Sequence, residues 1–169
     1  GLPIAQFVVG SNSNDILARF FETGAMETND VHPTISPSMD IQISSNFERL
    51  LFELLNRDGT RVAETFNRFR KTGYFAVPPN VLAEANKIFS GGRFNDDETR
   101  TMISKAYSEI GILLDPHTAV GLAAARKCRR NNEEPMVVLA TAHPAKFPDS
   151  VEQASGSHPD LPEHLSDLM

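Results

Sequence analysis

Only two stretches of this 169-residue chain read as buried strands, and they stand near its opposite ends. The first, Ile4 to Val9, is a short, β-branched, apolar run bounded by Pro3 and by Gly10-Ser11-Asn12. The second, Met136 to Ala140, follows Pro135 and delivers Thr141, Ala142 and His143 at its C-terminal end, where the ligands of open α/β sheets gather. Two apolar strands separated by helix-patterned sequence spell an α/β class, yet two parallel strands do not sustain a sheet alone. The expected fold is therefore an incomplete α/β unit with few parallel strands and many helices, its remaining strands lying upstream. The opening Gly1-Leu2-Pro3-Ile4, with no initiator Met and no basic segment, predicts a chain cut from something longer.

The helices are marked by spacing and punctuation. Asn14 is placed to cap Asp15 to Thr23, with Ile16, Phe20 and Thr23 on one face and Gly24 as the stop. From Ala25 to Ile43, Pro33, Pro37 and scattered Ser, Thr and Asn predict a long irregular connection of the kind that carries function. Ser45 and Glu48 form a capping box ahead of Phe47, Leu50, Leu51 and Leu54. Thr60 opens a second helix after the Asp58-Gly59 turn, lined by Val62, Phe66 and Phe69 and closed by Gly73. Pro78-Pro79-Asn80 opens a third, Val81 to Phe89, stopped by Gly91-Gly92. Asn95 to Glu98 starts a fourth that ends at Gly111. Asp115-Pro116 is an N-cap and first-turn pair for the Ala-rich run to Cys128, where Arg126, Lys127, Arg129 and Arg130 suit the helix C-terminus. The chain divides into an α/β part over 1–57, a helical block over 58–112, a return to the α/β region over 113–154, and a poorly ordered polar tail over 155–169.

Composition narrows the chemistry. With 16 Lys and Arg against 22 Asp and Glu the net charge is −6, which argues against nucleic acid or an anionic membrane as partner. No window holds the roughly 18 uninterrupted apolar residues of a membrane span. A single cysteine, Cys128, builds no disulfide framework, so a reducing cytoplasm is the expected setting. Its four basic neighbours favour a thiolate, but helix-end capping accounts for the same charges and no histidine lies nearby in sequence. The histidines, His32, His117, His143, His158 and His164, show no metal-ligand spacing, and no metal site is expected. His117 reads as a surface residue of a first helical turn, whereas His143, between a strand and Pro144, occupies a cleft-facing position. Gly10 to Asn14 carries neither phosphate-loop fingerprint and reads as a structural turn. Thr34 to Phe47 crowds hydroxyls, an acid and amides before a helix. Capping explains Ser45 and Glu48 there but leaves Ser38 and Asp40 without a structural role.

Four strings carry a family likeness. Ser36-Pro-Ser-Met-Asp-Ile-Gln-Ile-Ser-Ser-Asn-Phe-Glu-Arg-Leu-Leu-Phe-Glu-Leu55, Ser11-Asn-Ser-Asn-Asp-Ile-Leu17, Asp115-Pro-His-Thr-Ala-Val-Gly121 and Leu139-Ala-Thr-Ala-His-Pro-Ala-Lys-Phe147 resemble the C-terminal portion of bacterial threonine synthases, from Gly1 to about Ser150. The resemblance implies part of a fold-type II enzyme that uses pyridoxal 5'-phosphate (PLP) to convert O-phospho-L-homoserine and water to L-threonine and phosphate. It implies that Thr141 lies beside the cofactor's pyridine nitrogen, where a neutral hydroxyl does not force protonation as a carboxylate would. Ser38, Asp40, Asn46 and His143 are its implied substrate-side residues. The family's Schiff-base lysine and its Gly-Asn-Phe-Gly type loop for the cofactor phosphate lie upstream of Gly1. Lys71, Lys87, Lys105, Lys127 and Lys146 match no such motif. No catalytic residue is therefore assigned within the chain, its partner is the N-terminal part of its own parent, and the segment alone is expected to be inactive. The competing reading is a non-enzymatic α/β binding module.

Overall fold

A computed structural model describes residues 3–165, so Gly1, Leu2 and the last four residues of the expected tail lie outside the described residues. β1 (Phe7–Ser11) leads into α1 (Ile16–Thr23), and the chain then forms β2 (Ala25–Glu27), α2 (Phe47–Leu54), α3 (Gly59–Thr72), β3 (Tyr74–Ala76), α4 (Pro79–Asn86) and β4 (Phe89–Arg93). α5 (Asp96–Ile110), α6 (Pro116–Cys128) and α7 (Pro148–Ser155) complete it. The class is α/β with few parallel strands and many helices, as the sequence predicts.

β1 and β4 pair in parallel, with Phe7 opposite Phe89 and Gly10 opposite Gly92. Gly91-Gly92 is therefore not a helix stop: the third helix ends at Asn86 and the glycines lie inside a strand. The reason is close packing from both sides, since alternate strand residues face opposite ways. A Cβ on Gly91 would lie 2.9 Å from the Cα of Ala18 in α1, and one on Gly10 would lie 3.2 Å from Val120 in α6. Glycine lets helices seat against both faces of the pair. Gly91→Ala is expected to lower stability by about 1–3 kcal/mol through overpacking, checked by the shift in urea midpoint.

The aromatic core lies on the α1 side. Phe20, Phe47, Phe69 and Phe75 are buried together with Met26 and Leu51, and edge-on pairs such as Phe20–Phe47 at 4.6 Å and Phe69–Phe75 at 5.3 Å add to simple burial. An antiparallel ribbon, β2 with β3, supplies two of these residues by setting Met26 opposite Phe75. Sequence patterning missed both strands, because three-residue strands leave too few positions for an alternation to show.

Helix punctuation holds in part. α1, α3 and α5 end at Gly24, Gly73 and Gly111, each in the left-handed conformation. Asn95 and Glu98 form a full capping box on α5, and Asp115 with Pro116 opens α6. Two predicted caps fail: neither Asn14 nor Ser45 caps its helix, the N-cap positions being Asp15 and Asn46, whose side chains make no capping bond. Asn14 is drawn instead into a hydrogen-bonded cluster described below. α7 runs to Ser155 with Val151 buried.

Met136 to Ala140 departs most from expectation. It forms no strand, and Val137 and Leu139 are 81% and 74% exposed while Val138 turns inward onto Gly121 of α6. The in–out alternation of a strand is present, but no sheet partner is present among the described residues.

Candidate functional site

The first turn of α6 joins the two loops that the sequence singles out. Pro116 presets the helix entry, and the Asp115 carboxylate accepts from the amides of His117 at 2.9 Å and Thr118 at 3.3 Å. Oδ1 also faces His117 Nδ1 at 3.0 Å, and Oδ2 accepts the Thr118 hydroxyl. Asp115 is 1% exposed and has a partner for each oxygen.

From this turn two contacts reach outward. The Ser38 amide donates to His117 Nε2 at 3.2 Å, and the Thr141 amide donates to Thr118 Oγ1 at 3.1 Å. Phe147 stacks obliquely on the imidazole at 4.8 Å between centroids. His117 is thus 9% exposed, a buried hub and not a surface residue of the first turn. Its burial follows from the loops folded over it, which no local pattern encodes. Sequence reasoning missed Asp115, His117 and Thr118 as site residues, although the Asp115-Pro116 cap and the Asp-Pro-His-Thr string marked their place.

A second cluster fixes the loop after β1. Asp40 Oδ1 accepts from Asn12 Nδ2 at 2.7 Å, Asn14 Nδ2 at 2.9 Å and the Thr34 hydroxyl at 2.7 Å, and Oδ2 accepts the Thr34 amide at 3.0 Å. Asn14 also exchanges bonds with the backbone of His32, its Oδ1 accepting at 2.9 Å and its Nδ2 donating at 2.8 Å. The Asn14 amide donates to Asn12 Oδ1 at 2.8 Å, so the turn after β1 closes on itself as the sequence predicts. Nearby, Asp15 is buried between Arg19 at 2.9 Å and Arg93 at 2.7 Å. The hydrogen bond to Asp15, followed by the attraction of its charge, raises the Arg93 pKa above its ordinary value.

The predicted site residues separate into three groups. Ser38 and Thr141 are exposed, each held through its amide by the α6 turn, and the hydroxyl of neither has a partner among the described residues. His143 is exposed, accepts the Ala145 amide at 3.2 Å and lines a cleft of about 470 Å³ with Ile112, Leu114, Asp115, Thr118 and Pro144. Asp40 is occupied internally, and Asn46 stands exposed at the start of α2 without bonding to the others. A smaller cleft of about 310 Å³ is lined by Ser13, His32, Thr34 and Asp96. No lysine lines either cleft: Lys87 pairs with Glu84 and Lys127 lies over the Phe94 ring. Cys128 packs its thiol 3.7 Å from the Gly91 carbonyl oxygen. Among the described residues no group of three or more His, Cys, Asp or Glu is placed to hold a metal. No described helix is long and apolar enough to cross a membrane.

Helices on both faces of a parallel strand pair, with polar loops gathered on one helix N-terminus, define an α/β protein whose candidate site lies in its connecting loops. The comparisons with known proteins agree. A family model described as threonine synthase, C-terminal, matches residues 118–169. A threonine synthase of Pseudomonas aeruginosa is 49% identical across 99% of this chain, and one of Corynebacterium glutamicum is 40% identical across 100%. A solved PLP-bound threonine synthase from Brucella melitensis superposes with a TM-score of 0.95 at 50% identity, covering 99% of this chain and 36% of that one. The yeast enzyme's structure gives 0.90 at 38% identity, covering 99% and 38%. The chain matches the C-terminal part of threonine synthases, and it spans 36% of the length of either curated relative named here. An unrelated binding module is not favoured.

Proposed function

We propose that this chain is the C-terminal part of a PLP-dependent lyase that converts O-phospho-L-homoserine and water to L-threonine and phosphate in the cytoplasm. The observation that carries the reading is the convergence of Ser36–Asp40 and Thr141–Phe147, two strings of the family resemblance, on a third, Asp115–Thr118.

The residues fit one edge of the cofactor. Thr141 is fixed through its amide while its hydroxyl has no partner among the described residues, which suits a neutral donor or acceptor beside a pyridine nitrogen. When bound, the cofactor supplies the electron sink that permits deprotonation at Cα and Cβ, loss of the γ-phosphate and addition of water. The chain's contribution is positional. Thr141 would hold the ring edge, Ser38, Asn46 and His143 would serve the substrate side, and Asp40 keeps the substrate-side loop in place. The covalent anchor and phosphate cradle come from the rest of the polypeptide, whose strands also cover Val137 and Leu139. Alone, the segment is inactive.

The test is a PLP titration of this chain with borohydride reduction and mass mapping, run beside the chain restored to the length of its relatives. The expected result is no stoichiometric lysine adduct on the segment, with phosphate release from O-phosphohomoserine only after restoration. A specific adduct at Lys146 would overturn the assignment of the anchor to the missing part. A restored chain that releases no phosphate would overturn the activity itself.

A further inference from the structure

We infer that His117 is a positioning residue that sets the substrate-side loop, Ser36–Asp40, against the cofactor-side loop, Thr141–Phe147; this rests on the function proposed above. The hydrogen-bond directions carry the argument. The Ser38 amide can only donate, so His117 Nε2 receives it with a lone pair and the ring hydrogen resides on Nδ1, facing Asp115 Oδ1 at 3.0 Å. Asp115 Oδ2 takes the hydrogen of the Thr118 hydroxyl, whose lone pair is thereby open to the Thr141 amide. Every proton in the path from Ser38 to Thr141 has a fixed direction.

The geometry exceeds what stability requires. Both bonds to the α6 turn are only part-buried, and each adds only about 1 kcal/mol. What the bonds select is placement. The unpartnered hydroxyls of Ser38 and Thr141 are both referred to one helical turn, itself anchored by a carboxylate of zero side-chain exposure. Without His117, the Asp40 cluster restrains only the base of the Ser36–Asp40 loop.

The two amide isosteres of histidine divide the imidazole's work. His117→Asn keeps a donor where Nδ1 faces Asp115 and loses the acceptor for Ser38. His117→Gln puts an oxygen near the Nε2 position and keeps that acceptor. The experiment uses the chain at the full length of its relatives, loaded with PLP. In H117N the KM for O-phosphohomoserine is expected to rise roughly fivefold to tenfold, with kcat and the cofactor's absorption spectrum little changed, while H117Q stays within about twofold of the parent. A readout independent of activity accompanies this: amide hydrogen exchange over residues 36–42 should quicken in H117N and not in H117Q. Unchanged KM in both variants, or quicker exchange without a KM change, would overturn the inference. Equal KM losses in both, in step with lowered melting temperature, would reduce His117 to a space-filling residue and also overturn it. A full-length parent chain that releases no phosphate would instead overturn the proposed function, and the inference would fall with it.

Discussion

Asp115→Ala is expected to lower the unfolding free energy by about 3–5 kcal/mol. A lost N-cap contributes ~1 kcal/mol, and each buried donor left without a partner adds ~1–3. The carboxylate accepts four donors, namely the amides of His117 and Thr118, His117 Nδ1 and the Thr118 hydroxyl. Asp115→Asn keeps one oxygen for the two amides and forces the Thr118 hydroxyl to turn, so its loss should be about half as large. Urea unfolding of the full-length chain and both variants measures this. A shift below ~1 kcal/mol in the alanine variant would mean that water replaces the carboxylate, contradicting its burial.

Asp40→Ala is expected to cost about 2–4 kcal/mol and to make residues 32–42 the first site of limited proteolysis. Both oxygens have internal partners, and two of the donors, on Asn12 and Asn14, belong to buried side chains that lose an acceptor. The outcome separates two roles. If Asp40 acts on substrate alone, the variant keeps its stability and its protease resistance and changes only KM. If it holds the loop, stability falls first and KM follows. Asn14 and Thr34 share the cluster through their side chains, so their substitutions should not add to that of Asp40, because residues in one network couple.

Several parts of the fold were legible because they are local. The Gly24, Gly73 and Gly111 stops, the Asn95–Glu98 box and the Asp115-Pro116 start each depend on residues within one helical turn. Gly91-Gly92 misled because glycine has two uses, ending a helix and letting one pack closely, and only the approach of Ala18 and Ala124 distinguishes them. Asn14 and Ser45 were legible as cap types, but a longer-range cluster claims Asn14, and Ser45 stays outside its helix. Met136 to Ala140 has the composition and alternation of a strand, yet a strand exists only where a neighbour supplies its hydrogen bonds.

The candidate site divides in the same way. By itself the sequence determined the α/β class, most helix limits, the family likeness and the loops in which site residues would fall, since each is written in residue type and spacing. Tertiary structure alone decided that His117 is buried, that Asp40 is occupied by Asn12, Asn14 and Thr34, and that Ser38 and Thr141 meet at one helical turn. The physical reason is range. Caps and stops are satisfied within a few residues, whereas the Ser38–His117 bond joins positions 79 residues apart and arises only when two loops fold over the same helix end.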